Sequence, residues 1–214
     1  DSQMVYFITA LIILSALVAF MLAKTMFLKP KKYSVPYPDD VAIDAMKAAE
    51  HLSDAVKFKT VSNTDPEKTN WDEFDGYVGY LERTFPLTRM HLHRETINGH
   101  SLLYIWEGRD RNKKPALFAA HMDVVPAEES GWSHPPFGGV IDDGFVWGRG
   151  TLDIKVQMIA ILEAVEYLLG KNYVPERDIY IAFGHDEEIG GREGASRIAE
   201  RGEYIVASHR FNVM

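Results

Sequence analysis

The sequence predicts an α/β domain of three layers, with helices on both sides of a mostly parallel sheet, preceded by one transmembrane helix. Two observations predict the domain. Apolar strand-like runs alternate with amphipathic helical stretches from Asp39 onward. Polar clusters then mark the points where those runs end: His121-Met122-Asp123, Asp153 inside Gly148-Arg149-Gly150-Thr151-Leu152-Asp153-Ile154-Lys155, and Asp186-Glu187-Glu188. A third observation predicts the membrane helix: Met4 to Ala23 is a run of twenty residues without a charge.

Taken in order, Met4–Ala23 matches the roughly 20 apolar residues that cross a bilayer core. The apolar region of a cleaved signal peptide is about 7–15 residues, so an uncleaved anchor over residues 4–28 is the better reading. Lys24, Lys29, Lys31 and Lys32 follow it and by the positive-inside rule would place the next domain in the cytoplasm. Residues 29–38 carry Pro30, Pro36 and Pro38 and read as a stiff linker. The domain then occupies residues 39–214.

Asp39 or Asp40 is positioned to cap a helix with an inward face of Ala42, Met46, Ala49, Leu52 and Val56. Val61–Thr69 is a polar loop. Asn70 and Glu73 resemble a capping box for a second helix, with Trp71, Phe74, Val78, Leu81 and Phe85 inward and Pro86 as its stop. Asn98-Gly99 predicts a two-residue hairpin turn between Met90–Ile97 and His100–Trp106. Ala116–Ala120 is apolar on both faces and predicts a buried parallel strand. A long loop from Pro126 to Gly139 precedes a second hairpin over Val140–Trp147. The helix after Asp153 packs through Val156, Ile159, Ala160, Val165 and Leu168–Leu169 and ends near Gly170. A strand over Asp178–Phe183 and a helix over Glu193–Arg201 follow.

Composition narrows the function. A net charge of −8 argues against a nucleic-acid surface, and the absence of cysteine excludes disulfides and thiolate metal sites. No Gly-x-Ser-x-Gly elbow is present, which removes the usual serine hydrolase.

Singly, each cluster has a bland reading. His121 and Asp123 make a strand-end salt bridge, Asp153 an N-cap with Lys155 as a solvated charge, Glu187-Glu188 a surface turn, and His185 a strand-end histidine. Together they lie 32 residues apart from His121 to Asp153 and 35 from Asp153 to Glu188, each about one strand-helix unit. Three such clusters at successive strand ends can converge on one metal-bearing cleft. A donor set of histidine and carboxylates without thiolate favours Zn²⁺, with Co²⁺ or Mn²⁺ also accommodated. Asp123 is placed to orient the histidine, and one of two adjacent acids can grip a metal while the other faces its water.

At these residues the sequence resembles the aminoacylase and carboxypeptidase S family of co-catalytic zinc metallopeptidases, over roughly Asp39 to Gly202. The loop Gly131-Trp132-Ser133-His134-Pro135-Pro136-Phe137 and the following Trp147-Gly148-Arg149-Gly150 look most like the carboxypeptidase S branch. The resemblance implies two zinc ions, with Asp153 bridging them, His121 on one, Glu188 on the other, Glu187 as general base and Asp123 behind the histidine. It implies hydrolysis of the C-terminal residue of a short peptide, or of the acyl group of an N-acyl amino acid. It further implies a homodimer formed through a lid domain and a lumenal or extracytoplasmic catalytic unit, opposite to the side the lysines indicate.

Two of the family's ligands have no match. After Tyr204–Ala207 comes Ser208-His209-Arg210-Phe211-Asn212, without the acid, and the chain as given stops at Met214 without the lid domain or the distal histidine. The chain as given is therefore expected to be an incomplete catalytic domain, weak in metal binding and inactive by itself. The competing expectation is a non-catalytic, membrane-tethered binding domain that keeps the peptidase fold.

Overall fold

The structure is a computed structural model that describes residues 2–28, 41 and 43–202. It divides into two compact units, Asp1–Val41 and Ala42–Met214. The first unit contains α1 (Ser2–Met26), 25 residues long and long and apolar enough to cross a membrane. Thr9 and Thr25 return their hydroxyls to the carbonyls of Val5 and Met21 at 2.8 Å, so their polar atoms are satisfied within the helix itself. A helix of this kind at an N-terminus is a membrane span or a signal sequence. The predicted linker, residues 29–38, and the predicted caps Asp39 and Asp40 lie outside the described residues.

The second unit opens with α2 (Ala45–Val56), capped by Asp44, whose carboxylate accepts from the Lys47 N–H at 3.0 Å. Leu52, Ala55 and Val56 are buried, whereas Met46, expected on the inward face, is exposed. The helix α3 (Trp71–Thr84) starts where predicted, but no capping box forms. The Asn70 side chain makes no cap bond, and the Glu73 carboxylate accepts from the Lys59 N–H at 2.9 Å instead. Pro86 ends α3 and opens α4 (Pro86–His91) as its first residue, where its missing N–H costs nothing. That helix takes Met90 and His91 out of the predicted strand.

A four-stranded sheet runs in the order β1 (His93–Ile97), β2 (Ser101–Trp106), β6 (Ile179–Gly184), β3 (Ala116–His121). The β1–β2 loop holds Asn98 at φ 49° and Gly99 at φ 88°. The pairing of Ile97 with Ser101 makes it a three-residue loop that includes His100, not a two-residue turn. A small ribbon of β4 (Val140–Asp142) and β5 (Phe145–Trp147) forms the second predicted hairpin.

The mostly parallel sheet is not observed. The β1–β2 and β2–β6 pairings are antiparallel, and β3–β6 is the parallel pairing among the described strands. Nor is β3 buried: Leu117 and Phe118 are 63% and 49% exposed. The strand buried along its whole length is β2. A continuous apolar run reports two covered faces, not the direction of the neighbouring strand.

Alternation along β2 and β6 divides the core between two faces. Leu102, Tyr104, Trp106, Ile181 and Phe183 pack with α2, α3 and α5 (Val156–Gly170). Leu103, Ile105, Tyr180 and Ala182 pack with Ile198, on the helix at 195–202. The buried face of α5 is Met158, Ile159, Leu162 and Val165, while Val156 and Ala160 face outward. The crossover from β3 through α5 to β6 sets His121 opposite Gly184 at the same edge of the sheet. The carboxyl ends of both parallel strands thus open at one place.

Candidate metal centre

His121 is the last residue of β3 and is 7% exposed. Its Nδ1–H donates to the backbone carbonyl of Asp123 at 2.9 Å, with the Asp123 carboxylate at 3.3 Å. The nearer partner is therefore the carbonyl, not the carboxylate that sequence spacing suggested. A carbonyl can only accept, so the proton of the neutral ring belongs on Nδ1 and the Nε2 lone pair faces outward. Outward from Nε2 stand Asp153 Oδ1 at 3.2 Å and Glu187 Oε2 at 3.6 Å.

Asp153 arrives on the turn that opens α5. Gly150 makes that turn feasible: its φ is 83°, and a Cβ there would lie 2.4 Å from Val124 Cγ1. Only a residue without a side chain lets the turn press against the segment after His121. Lys155 N–H closes it onto Gly150 O at 2.8 Å, and the Asp153–Ile154 peptide bond is cis. The Asp153 side chain is 77% exposed and open to solvent.

Glu187 and Glu188 begin a one-turn 3₁₀ segment (Glu187–Ile189) after β6. Their N–H groups donate to Asp123 Oδ1 and Oδ2, each at 3.0 Å. His121, Asp153 and Glu188 each offer a ligand atom, all within 4.8 Å of one another. Asp186 is turned the other way and accepts from the N–H groups of Glu193 and Gly194 at 2.8 and 2.9 Å, so it serves the backbone. His185 is buried with Nδ1 2.7 Å from the Ser101 hydroxyl, a strand-end histidine as its plain reading holds. His209 lies outside the described residues.

The electrostatics favour a cation at the cluster. Burial raises the Glu188 carboxyl above its usual value; His121 opposes this, while the charges of Asp153, Asp123 and Glu187 add to it. For His121, burial alone would lower the imidazole, but the hydrogen bonds and charge of Asp123 and the charge of Glu187 outweigh it and lift it to about 9. Three carboxylates around one ring leave negative charge that a divalent ion would neutralise, and imidazole with carboxylate oxygens is a donor set that zinc accepts.

Three residues near the cluster were not legible. Thr60 and Ser62, in or beside the predicted polar loop, are 0% and 9% exposed. Thr60 donates to Met122 O at 2.6 Å and Ser62 to Asp123 Oδ2 at 2.7 Å. Lys155, read as a solvated charge, is 0% exposed. Its Nζ donates to the carbonyls of Ala55 and Phe58 at 2.9 and 2.7 Å and lies 4.7 Å from the centre of the Tyr77 ring. Hydropathy is inverted in this turn, since Leu152 is 87% exposed, and no pattern in a single sequence signals that exchange.

Known proteins share this architecture. Human carnosine dipeptidase 1 superposes with a TM-score of 0.64 at 20% identity, over 77% of this chain and 36% of that one. A M20 family metallo-carboxypeptidase from Sulfolobus solfataricus does so with a TM-score of 0.54 at 25% identity, over 67% and 31%. The fold is therefore that of an α/β metallopeptidase. In sequence, the chain is 42% identical over 182 residues to the probable carboxypeptidase S-like 2 of Dictyostelium discoideum, covering 79% of this chain and 34% of that protein. It is 43% identical over 158 residues to the N-fatty-acyl-amino acid synthase/hydrolase PM20D1 of Bos taurus, covering 72% and 31%. The profile of Peptidase family M20/M25/M40 matches residues 117–213, which marks a domain of that family there. It spans about a third of the length of these curated relatives.

Proposed function

We propose that residues 39–214 are the N-terminal part of a zinc-dependent hydrolase that cleaves N-acyl amino acids or the C-terminal residue of short peptides. The observation that carries this reading is the approach of His121, Asp153 and Glu188 to within 4.8 Å at the end of the parallel strand pair. The names of the relatives supply the substrate classes: one is a carboxypeptidase S-like protein, the other an N-fatty-acyl-amino acid synthase/hydrolase.

His121, Asp153 and Glu188 would hold the metal. Bound zinc supplies Lewis acidity toward the scissile carbonyl and toward the attacking water. Glu187, on the same turn and facing His121 Nε2, takes the proton from that water and delivers it to the leaving amine. Asp123 keeps the imidazole and the Glu187-Glu188 turn in register through the bonds described above. Residues 4–28 serve as a single-pass membrane anchor and 29–38 as the linker to the domain.

The test is hydrolysis of a panel of N-acyl amino acids and blocked dipeptides by the full-length protein, with and without chelator. Chelation should abolish turnover, and Glu187→Gln should abolish it while zinc content is retained. Turnover that survives either change overturns the reading.

A further inference from the structure

The segment between α2 and α3 is stitched to both halves of the candidate metal centre. Val124 N–H donates to Thr60 O at 2.9 Å, Thr60 donates its hydroxyl to Met122 O at 2.6 Å, and Val61 forms a parallel bridge with Val124. Residues 60 and 61 are therefore tied alongside residues 122–124 by one bridge and two hydrogen bonds. Two residues earlier, Phe58 O accepts from Lys155 Nζ at 2.7 Å, which joins the same segment to the turn that carries Asp153.

The consequence falls on Asp123. This carboxylate is 0% exposed and receives the Ser62 hydroxyl at 2.7 Å, the Glu187 and Glu188 N–H groups at 3.0 Å each, and the His121 ring at 3.3 Å. Three of these donors belong to the centre itself. Ser62 is the one that comes from another part of the fold, and its anchorage by residues 60 and 61 makes it a fixed point. Without it, Oδ2 would keep the Glu188 N–H and lose the donor that sets the tilt of the carboxylate plane.

We propose that Ser62 is a positioning residue for this metal centre, acting through Asp123 on the aim of His121 and on the seat of Glu187 and Glu188. The inference rests on the proposed metal site and adds a residue that touches neither metal nor substrate. Ser62 also lines a cavity of about 330 Å³ with Trp71, His100 and His185, and a threonine at this position keeps the donating hydroxyl.

The experiment uses the full-length protein in wild-type, Ser62→Ala, Ser62→Cys and Ser62→Thr forms. Zinc affinity is measured by titration of the metal-depleted proteins, and kcat and KM are measured at saturating zinc. Ser62→Ala should bind zinc about tenfold more weakly and lose kcat with KM unchanged, the lower end of what loss of a ligand-orienting partner produces. Ser62→Thr should restore both. Ser62→Cys, a weak donor of similar size, should fall between and replaces the alanine variant if that one does not fold. A purely structural role would lower thermal stability while leaving the affinity of the folded protein unmoved. Wild-type affinity and kcat in Ser62→Ala, or loss of both in Ser62→Thr, overturns this proposal alone. A wild-type protein that takes up no zinc overturns the metal-site reading and this proposal with it.

Discussion

Two ionisable side chains without solvent exposure flank the cluster: Asp123, two residues past His121, and Lys155, two residues past Asp153. Their surroundings differ in kind. Asp123 gathers a hydroxyl, two backbone N–H groups and an imidazole; burial alone would raise its carboxyl, yet His121, Ser62, Glu188 and Glu187 together bring it below the ordinary value. Lys155 has two neutral carbonyls and a ring face, and burial drops its amine to about 7, with only the charge of Glu73 opposing. The acid keeps its charge because many donors face it. The base half gives its charge up because dipoles alone replace its water. One buried group therefore organises charge, and the other is held by hydrogen bonds and a ring face while burial weakens its hold on its proton.

Removing the acid should have the largest effect. Asp123→Ala leaves the Ser62 hydroxyl and two N–H groups without their acceptor and strips the carboxylate from beside His121, which keeps the residue-123 carbonyl. Urea denaturation should show a loss of about 3 kcal/mol, the usual cost of breaking a buried charged network. A loss below about 1 kcal/mol would mean that water replaces the carboxylate and that the two regions differ less than their partners imply.

Lys155→Met should cost less, about 1–2 kcal/mol at neutral pH, since it orphans the Phe58 carbonyl but removes no settled charge. Its sharper signature is in pH dependence. Between about 7 in the folded state and 10.5, the ordinary value, the unfolded chain holds a proton that the folded one has released. Stability of the metal-free wild type should therefore gain a rising component across that window and level off above it. The methionine variant should lack that component, so equal slopes in urea midpoints would show that the amine stays charged.

Glu95 with Arg201 provides the solvent-screened reference, joined by bonds of 2.7 and 2.9 Å with side chains 20% and 37% exposed. The Arg201 hydrogen bond holds the Glu95 carboxyl below its ordinary value, against a smaller effect of burial. Its stabilisation is present above the ordinary glutamate value and is lost as pH falls through the lowered one. Glu95→Gln should cost under about 1 kcal/mol at neutral pH and nothing in strong acid, read from the same denaturation series.

His121 and the Glu187-Glu188 pair stood out because each follows an apolar run, where a polar side chain has left the core, and Asp153 because a Gly-rich turn ahead of a helix presents it. Their supports did not. Ser62 and Thr60 look like any loop hydroxyls until the chain passes beside residues 122–124. Lys155 is polar in composition and buried in fact, because the Gly150 turn rotates Leu152 outward and the amine inward. Sheet direction failed for a related reason: the apolar content of β2 and β3 is alike, and only the hairpin at Asn98 decides which of them lies inside. The start of the first domain helix was offset because three acids precede it and Asp44, not Asp39 or Asp40, caps α2.

The bridge at Val61, with the Thr60 and Ser62 hydroxyl bonds on either side of it, makes an ordinary-looking connection intolerant of length changes. One residue inserted ahead of Thr60 would flip the alternation, turning the hydroxyls of this stretch away and presenting a valine methyl to a carboxylate that has no water to fall back on. Indels that most surface connections absorb would here reach the candidate metal centre without altering any of its residues.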